Sequence, residues 1–113
     1  MRDDEGELTQ VFVVSDGTGD TGNAAVRAAL LQFQKPLRLR VFGDIRSETE
    51  ACRVIKQAAA ERALVVFSLV DGGVIEVLLR EAELHGVGTL DLLGPLIAKL
   101  AQRLRCEPRH KPG

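Results

Sequence analysis

The sequence has almost no net charge and no long apolar run. Its 15 Lys and Arg residues nearly balance its 16 Asp and Glu residues, so no global field attracts nucleic acid or an anionic membrane. No apolar stretch approaches the roughly 20 residues that span a bilayer, and the acidic start, MRDDEGEL, is unlike a secretory signal. We therefore predict a cytoplasmic protein without nucleic-acid or membrane partners.

Cysteine and histidine are also scarce. The two cysteines, Cys52 and Cys106, form no C-x-x-C pair, and Cys52 falls on the apolar face of a predicted helix, where a small buried hydrophobe is expected. This usage indicates a reduced compartment. His85 and His110 stand alone without metal-ligand spacing, so the sequence predicts no metal site.

Two motifs that would identify an enzyme are missing. The P-loop pattern G-x-x-x-x-G-K-[ST] occurs nowhere in the chain. No convincing Ser-His-Asp constellation is present either. The sequence by itself therefore assigns no catalytic residue.

Four strand-like segments alternate with four helix-like ones. The predicted strands lie near 10–15, 37–43, 63–70 and 88–93, and the predicted helices near 20–33, 47–61, 73–85 and 95–105. Such alternation predicts parallel strands with right-handed crossovers, and therefore a three-layer, Rossmann-like α/β domain. Residues 1–9 are expected to form a disordered extension, 10–105 the domain, and 106–113 (CEPRHKPG) a linker-like tail.

The character of each strand predicts its place in the sheet. VFVV and ALVVFSLV are continuous apolar runs, typical of central strands that are covered on both faces. In LRLRVF, leucine and valine alternate with Arg38 and Arg40, which indicates an edge strand with one wet face. The simplest sheet order is 2-1-3-4, with a switch point between strands 1 and 3.

A glycine-rich loop follows the first predicted strand. It places hydroxyls and a carboxylate at the carboxyl end of a central strand, the edge where α/β proteins bind ligands. That mixture suits hydrogen bonds to a polar ligand, or a hydrated Mg²⁺, better than bare phosphates. The predicted ligand- or target-binding residues are Ser15, Asp16, Gly17, Thr18, Gly19 and Thr21.

Two alternatives for this loop stay open. Residues 17–22 satisfy G-x-G-x-x-G, and Asp44 lies at the end of strand 2 where a dinucleotide fold holds the ribose. Against NAD, Asp20 would repel a pyrophosphate at the helix N-terminus, and four strands supply only half of such a domain. The second alternative is a tight turn that merely needs glycine.

Three acids are candidates for the rim of this site. Asp44 ends strand 2, Asp71 ends strand 3, and Asp91 lies in strand 4. Asp16 and Asp71 would face each other across the switch point, as in response-regulator receivers, but the fifth strand with its lysine is missing. Asp71 is alternatively a cap of the following helix, and Asp91 either reaches the rim or faces solvent.

Several segments together resemble a known family. VFVVSDGTGDT, QF at 32–33, ALVVFSLVD at 63–71 and DLLGP at 91–95 are similar to the N-terminal region of the pyruvate, phosphate dikinase regulatory proteins. Bacterial relatives act on phosphoenolpyruvate synthase. The resemblance spans roughly residues 10 to 97. It departs from the family at Gly22-Asn23, where relatives commonly carry alanine and glutamate, and at Gly72-Gly73, where proline often follows the aspartate.

The resemblance implies a bifunctional regulatory enzyme. Family members use ADP to phosphorylate a threonine of the dikinase or synthase, and use phosphate to remove that group with release of pyrophosphate. ADP or ATP, phosphate and Mg²⁺ would serve the full-length enzyme, whose P-loop lies in a second domain. This chain has no such loop and resembles the N-terminal domain alone. It is therefore expected to be an inactive part of a kinase, with no nucleotide assigned to it.

Other classes of function stay open as well. One alternative is a stand-alone nucleotide- or small-molecule-binding module that uses the glycine loop. Another is a purely structural or dimerising domain, since a homodimer is compatible with the sequence.

Overall fold

The computed structural model describes residues 8–112, which form a four-stranded parallel sheet with four helices. Residues 1–7, most of the predicted extension, and Gly113 lie outside the described residues. The elements are β1 (Thr9–Ser15), α1 (Asp20–Leu30), β2 (Leu37–Phe42), α2 (Glu48–Glu61), β3 (Leu64–Ser68), α3 (Gly72–His85), β4 (Thr89–Asp91) and α4 (Gly94–Leu104). The sheet order β2-β1-β3-β4 and the three-layer α/β class confirm the prediction.

The two apolar strands occupy the centre of the sheet. Residues 11–15 of β1 and 65–68 of β3 are buried, and Val13 pairs with Val41 of β2 on one side and Val66 of β3 on the other. Neighbouring strands on both edges and helices on both faces keep these residues away from water. This is why both read as unbroken apolar runs.

The two faces of the sheet are covered unequally. On one face α2 and α3 pack over Phe12, Val14 and Phe67 and enclose the main hydrophobic core. Helix α1 packs on the opposite face of the sheet. On that face Leu64 of β3 and Leu90 of β4 remain 42% and 53% exposed. One helix is too narrow to cover four strands, so apolar surface remains on the α1 side.

The edge strand β2 carries its arginines on the core side. The Arg40 guanidinium lies 5.2 Å from the ring centroids of both Phe12 and Phe42, and its Nη1 atom donates to both carboxylate oxygens of Glu61 at 3.0 Å. The edge position is confirmed, but this face is not simply wet. Arg40 covers the aromatic pair through cation–π contacts and keeps its charge paired.

Helix boundaries differ from the prediction by a few residues. The largest difference is α1, which ends at Leu30 and not near residue 33. Gln32 and Phe33 instead donate to the carbonyls of Ala29 and Leu30, which closes a tight last turn. A proline disfavours helical backbone at the residue before it. Pro36 therefore favours extended backbone at Lys35, before β2 begins.

The sequence Ser47-Glu48-Thr49-Glu50 predicts a capping box at the start of α2, and the structure confirms it. This box makes the stability of the protein depend on pH. The Glu50 amide donates to Ser47 Oγ, while the Arg46 and Ser47 amides and the Ser47 hydroxyl donate to Glu50 Oε1 at 3.0–3.1 Å. These bonds, first the one from the Arg46 amide, hold the pKa of Glu50 below its ordinary value of 4.5. The folded state therefore stabilises the charged, deprotonated form of the Glu50 carboxyl group.

We expect this cap to be lost on acidification. Because the pKa is lower in the folded than in the unfolded state, the stabilisation is fully present above about pH 4.5 and disappears as the pH falls through the folded pKa. Urea denaturation at about pH 6 and at about pH 3.5 measures it. Glu50→Gln should lower stability at the higher pH and show a smaller pH effect. An unchanged pH effect in Glu50→Gln would contradict this role.

Candidate functional site

The loop after β1 and the loop after β2 lie side by side at the carboxyl edge of the sheet. The amides of Asp44 and Ile45 donate to the carbonyls of Gly17 and Ser15, both at 2.9 Å. A Cβ atom at Gly43 would lie 2.6 Å from the Gly17 carbonyl oxygen. The two loops therefore form one closely packed backbone surface, which a side chain at Gly43 would separate.

Arg46 is a third connection between these loops, and the sequence analysis missed it. Its Nε donates to the Asp16 carbonyl oxygen at 2.8 Å, although the two residues are 30 positions apart. The side chain is exposed. The only hint in the sequence is an arginine directly before the capping box, and this does not reveal what the arginine contacts.

The two hydroxyls at the start of the loop shape its backbone. Ser15 is buried, and its Oγ accepts from the Gly17 amide at 3.0 Å. Thr18 Oγ1 accepts from the Asp20 amide at 3.2 Å. Both are local turns of the kind that serine and threonine favour. Thr21, in the first turn of α1, is exposed to solvent.

Asp16 joins the first and third strands at the switch point. Its Oδ2 accepts from the Val70 amide at 3.1 Å, across 54 positions of sequence. Asp16 is half-buried and lies where the loops after β1 and β3 diverge. It thereby holds the loop after β3 against the glycine loop, which is a positioning role that the structure shows directly.

The three glycines of the loop differ in what they do. Gly19 has φ +90°, and a Cβ there would collide with Cγ1 of Val41. Gly22 packs α1 onto the sheet, since its Cβ would lie 2.5 Å from Cγ1 of Val13. At Gly17 the φ is not positive and the nearest atom, Ser15 Oγ, lies 3.8 Å away. The fold therefore explains Gly19 and Gly22, and leaves Gly17 open to an approaching group.

The three acids predicted for the rim, Asp44, Asp71 and Asp91, lie at the carboxyl edge of the sheet but differ in their contacts. Asp71 caps α3, accepting from the amides of Gly73 and Val74 at 2.9 and 3.1 Å, which confirms the alternative that it is a helix cap. Asp91 is not the N-cap of α4, which is Leu93, but its Oδ1 accepts from the amides of Leu93 and Gly94 in the turn that leads into the helix. Asp44 is exposed, with φ 56°, and of the three it alone shares a hydrogen bond with the glycine loop.

The assembled site is an exposed polar rim. Thr18, Asp20, Thr21 and Asp44 are all exposed along it, and Gly19 provides no side-chain cap for α1. A concavity of about 460 Å³ lies elsewhere, at the amino edge of the sheet beside Arg62, His85 and Gly86.

Among residues 8–112, no helix is both long and apolar enough to cross a bilayer. Within the same part of the chain, no three or more His, Cys, Asp or Glu side chains cluster in a way that would hold a metal ion.

Comparison with known proteins gives a consistent result. The model of the family described as kinase/pyrophosphorylase matches residues 11–113. A protein of Geobacillus kaustophilus that carries the name pyruvate, phosphate dikinase regulatory protein is 36% identical over 104 residues, which cover 91% of this chain and 39% of that protein. One of the same name from Geobacter sulfurreducens is 35% identical over 107 residues, with 94% and 40% covered.

A plant protein matches as well. Pyruvate, phosphate dikinase regulatory protein 1, chloroplastic, of Arabidopsis thaliana is 35% identical over 105 residues, covering 87% of this chain and 26% of the plant protein. The chain thus spans well under half the length of the relatives it matches.

Proposed function

The chain belongs to the kinase/pyrophosphorylase family, and we propose that it serves as the target-recognition part of a regulatory serine/threonine kinase and phosphate-dependent pyrophosphorylase. Its target would be pyruvate, phosphate dikinase or phosphoenolpyruvate synthase, inactivated by ADP-dependent phosphorylation of a threonine and reactivated with phosphate. The observation that carries the proposal is the match over residues 11–113, which includes the rim at the carboxyl edge of the sheet.

The chemistry around the glycine loop supports recognition over phosphoryl transfer. Transfer of a phosphoryl group depends on positioning and on positive charge that stabilises the transition state. Here the loop carries Asp16 and Asp20 and lies beside Asp44. Arg46 contacts the loop with a positive charge, but its Nε–H already donates to the Asp16 carbonyl oxygen. These residues do not fit a bare polyphosphate, so we assign no step of the transfer to them. The exposed carboxylates of Asp20 and Asp44 instead offer acceptors to a protein surface.

We therefore expect this chain to bind the dikinase or the synthase without phosphorylating it. Incubated with ADP, Mg²⁺ and purified dikinase, the chain should form no phosphothreonine, and biolayer interferometry should show that it binds the dikinase or the synthase. Asp20→Lys should weaken that binding about tenfold, or roughly 1.4 kcal/mol, because it reverses a charge on the rim. Phosphothreonine formation, or no binding to either enzyme, would contradict the proposal.

A matched variant controls for charge alone. Glu83 is an exposed acid on α3, away from the carboxyl edge, so Glu83→Lys changes the net charge by the same amount as Asp20→Lys. Binding should stay unchanged in Glu83→Lys. Equal weakening by both variants would indicate long-range attraction and not contact at the rim.

One observation favours a second candidate, the nucleotide- or small-molecule-binding module. Gly19, the N-cap residue of α1, supplies no side-chain cap, and the nearest atom to a Cβ built at Gly17 lies 3.8 Å away; helix N-termini without a side-chain cap attract anions. A thermal-shift titration with ADP, AMP, phosphate and NAD tests it. A ligand at about 100 times its dissociation constant would add about 2.7 kcal/mol, and such a shift would favour this candidate.

A further inference from the structure

Two buried serines lie opposite each other at the carboxyl ends of the central strands. Ser15 ends β1 and Ser68 ends β3, and the two residues are partners in the register of this parallel pair. They are 6% and 5% exposed, and within residues 8–112 they are the only buried polar residues. Neighbouring strands lie about 4.8 Å apart, so one atom placed between the two side chains can contact both. We call these residues the serine pair.

Both serine side chains lie on the α1 side of the sheet. Val13 faces α1, since a Cβ atom at Gly22 would lie 2.5 Å from Val13 Cγ1. Ser15 follows Val13 by two positions, and side chains two positions apart in a strand share a face. Ser68 shares this face as the register partner of Ser15. The serine pair is therefore separated from the main hydrophobic core, which lies between the opposite face and helices α2 and α3.

The serine pair has hydrogen-bonding groups that the fold does not use. Ser15 Oγ accepts from the Gly17 amide at 3.0 Å, which leaves its O–H free to donate. Within residues 8–112 the Ser68 hydroxyl bonds neither Ser15 nor any other group. Buried polar side chains are nearly always hydrogen-bonded, and an unpaired one destabilises the fold. The Ser68 hydroxyl therefore contributes nothing to the fold that a methyl group would not.

The Ser68 hydroxyl is also not sealed inside the protein. In the described part of the chain, the buried side-chain oxygen that has neither a partner nor contact with solvent is Gln10 Oε1. Ser68 Oγ has no partner but keeps some contact with solvent. The space at Gly17 is open as well, because the nearest atom to a Cβ built there is Ser15 Oγ, at 3.8 Å. An incoming group can therefore reach the serine pair past Gly17.

The serine pair lies at the switch point of the sheet. Strands β1 and β3 are neighbours in the order β2-β1-β3-β4, and the helices that follow them, α1 and α3, cover opposite faces. Open α/β sheets bind their ligands in the crevice at this point, outside the carboxyl ends of the strands. The unpaired hydroxyl and the topology are independent observations, and both indicate the same place.

The neighbouring charges determine which group fits this place. Asp16 follows Ser15 directly and is half-buried, and Asp20 and Asp44 lie along the rim. Their carboxylates repel a phosphate or a carboxylate that approaches the serine pair. The free O–H groups of Ser15 and Ser68 are donors, so the group has to be an acceptor. An uncharged oxygen, in a hydroxyl or in a carbonyl, meets both conditions.

We propose that the serine pair binds an uncharged oxygen of the target protein, either the hydroxyl of the regulated threonine or a carbonyl oxygen beside it. The proposal rests on the recognition role given above and names the chemistry by which the rim would recognise its target. Since Ser15 and Ser68 are almost fully buried, only a slender group that projects from the target surface reaches them. The end of a side chain and a peptide carbonyl in an extended segment are such groups.

Biolayer interferometry with purified dikinase or synthase measures the contribution of Ser68. Ser68→Ala should raise the dissociation constant about tenfold, because one hydrogen bond across the contact is lost. The melting temperature should not fall, because the hydroxyl makes no bond within the chain. Thr9→Val is the matched control: it removes a hydroxyl at the amino end of β1, where Thr9 is exposed, and should leave the affinity unchanged.

A target variant with valine in place of the regulated threonine distinguishes the two sources of the oxygen. If the threonine hydroxyl is bound, this variant and Ser68→Ala weaken binding by similar factors, and combining them adds little. If a carbonyl is bound, the two effects multiply.

Three results count against the serine pair. An unchanged affinity in Ser68→Ala, or equal weakening by Thr9→Val, overturns the inference and leaves the recognition role standing. A lower melting temperature in Ser68→Ala also overturns it, since the hydroxyl would then serve the fold. If the unaltered chain binds neither enzyme, the recognition role and the inference both fail.

Discussion

Replacing Gly19 with alanine should destabilise the fold by about 3 kcal/mol, the sum of a left-handed backbone at about 1–2 kcal/mol and a steric conflict at about 1–3 kcal/mol. The residue has φ +90°, and the new Cβ would collide with Cγ1 of Val41 in β2. Relief requires the Val41 side chain to leave its rotamer or β2 to move, and β2 is hydrogen-bonded to β1 along its length. Thermal denaturation should show a melting temperature lower by roughly 10 °C or more.

Gly17→Ala is the matched control for this prediction. It makes the same substitution in the same loop, but the φ there is not positive and the nearest atom to the new Cβ lies 3.8 Å away. Its stability should stay within about 0.5 kcal/mol of the wild type. Equal losses in both variants would mean that the loop as a whole needs glycine, and that the separate roles assigned to Gly17 and Gly19 are wrong.

Gly17→Ala also probes the site without disturbing the fold. Since the position is open, an added methyl group meets whatever approaches the rim. If the dikinase or synthase docks on this loop, its affinity should fall while the melting temperature does not change. Such a separation of binding from stability is the signature of a contact surface.

Truncating Leu78 to alanine should have an equally large effect on stability, about 2–5 kcal/mol. Leu78 on α3 is fully buried, in the core between α2, α3 and the sheet. The change removes buried apolar area and leaves a cavity that the β3 and α2 side chains fill only by distortion. Urea denaturation at one fixed protein concentration measures the loss, since a dimer would make stability depend on concentration.

Leu84→Ala on the same helix provides the comparison. Leu84 is 73% exposed, so the same truncation removes little buried area and should change stability by no more than about 0.5 kcal/mol. The contrast reports burial and not helix propensity, because both variants replace leucine with alanine in α3. Similar losses at the two positions would contradict the assignment of the core to the α2–α3 face.

Hydrogen bonds join the loops at the carboxyl edge of the sheet to one another. Asp44, Ile45 and Arg46 attach the loop after β2 to the glycine loop, while Asp16 attaches the loop after β3. Three strand ends are thus joined by hydrogen bonds before any partner arrives. A surface organised in advance loses less entropy on binding, which supports a docking role for an exposed rim.

The amino-acid sequence by itself determined the architecture of this protein. Unbroken apolar runs place β1 and β3 at the centre, the alternation with Arg38 and Arg40 places β2 at the edge, and Ser47 with Glu50 marks the start of α2. These patterns are local, because each reflects the position or capping of a short segment; in β2 the alternation identified the edge but not the packing of Arg40 over Phe12 and Phe42. The resemblance to the regulatory proteins likewise rests on short strings, of which S-D-G-T-G-x-T is the most specific.

Only the tertiary structure decided what the site residues do. Asp16 and Val70 are 54 positions apart, and Arg46 and Asp16 are 30 apart, so no periodic pattern within one element predicts that they meet. The sequence also could not show that Gly19 and Gly22 face neighbouring valines while Gly17 does not. Nor could the amphipathic pattern of α4 indicate that no residue of this helix is buried, because a helix whose apolar face is covered has the same pattern as one whose apolar face is exposed.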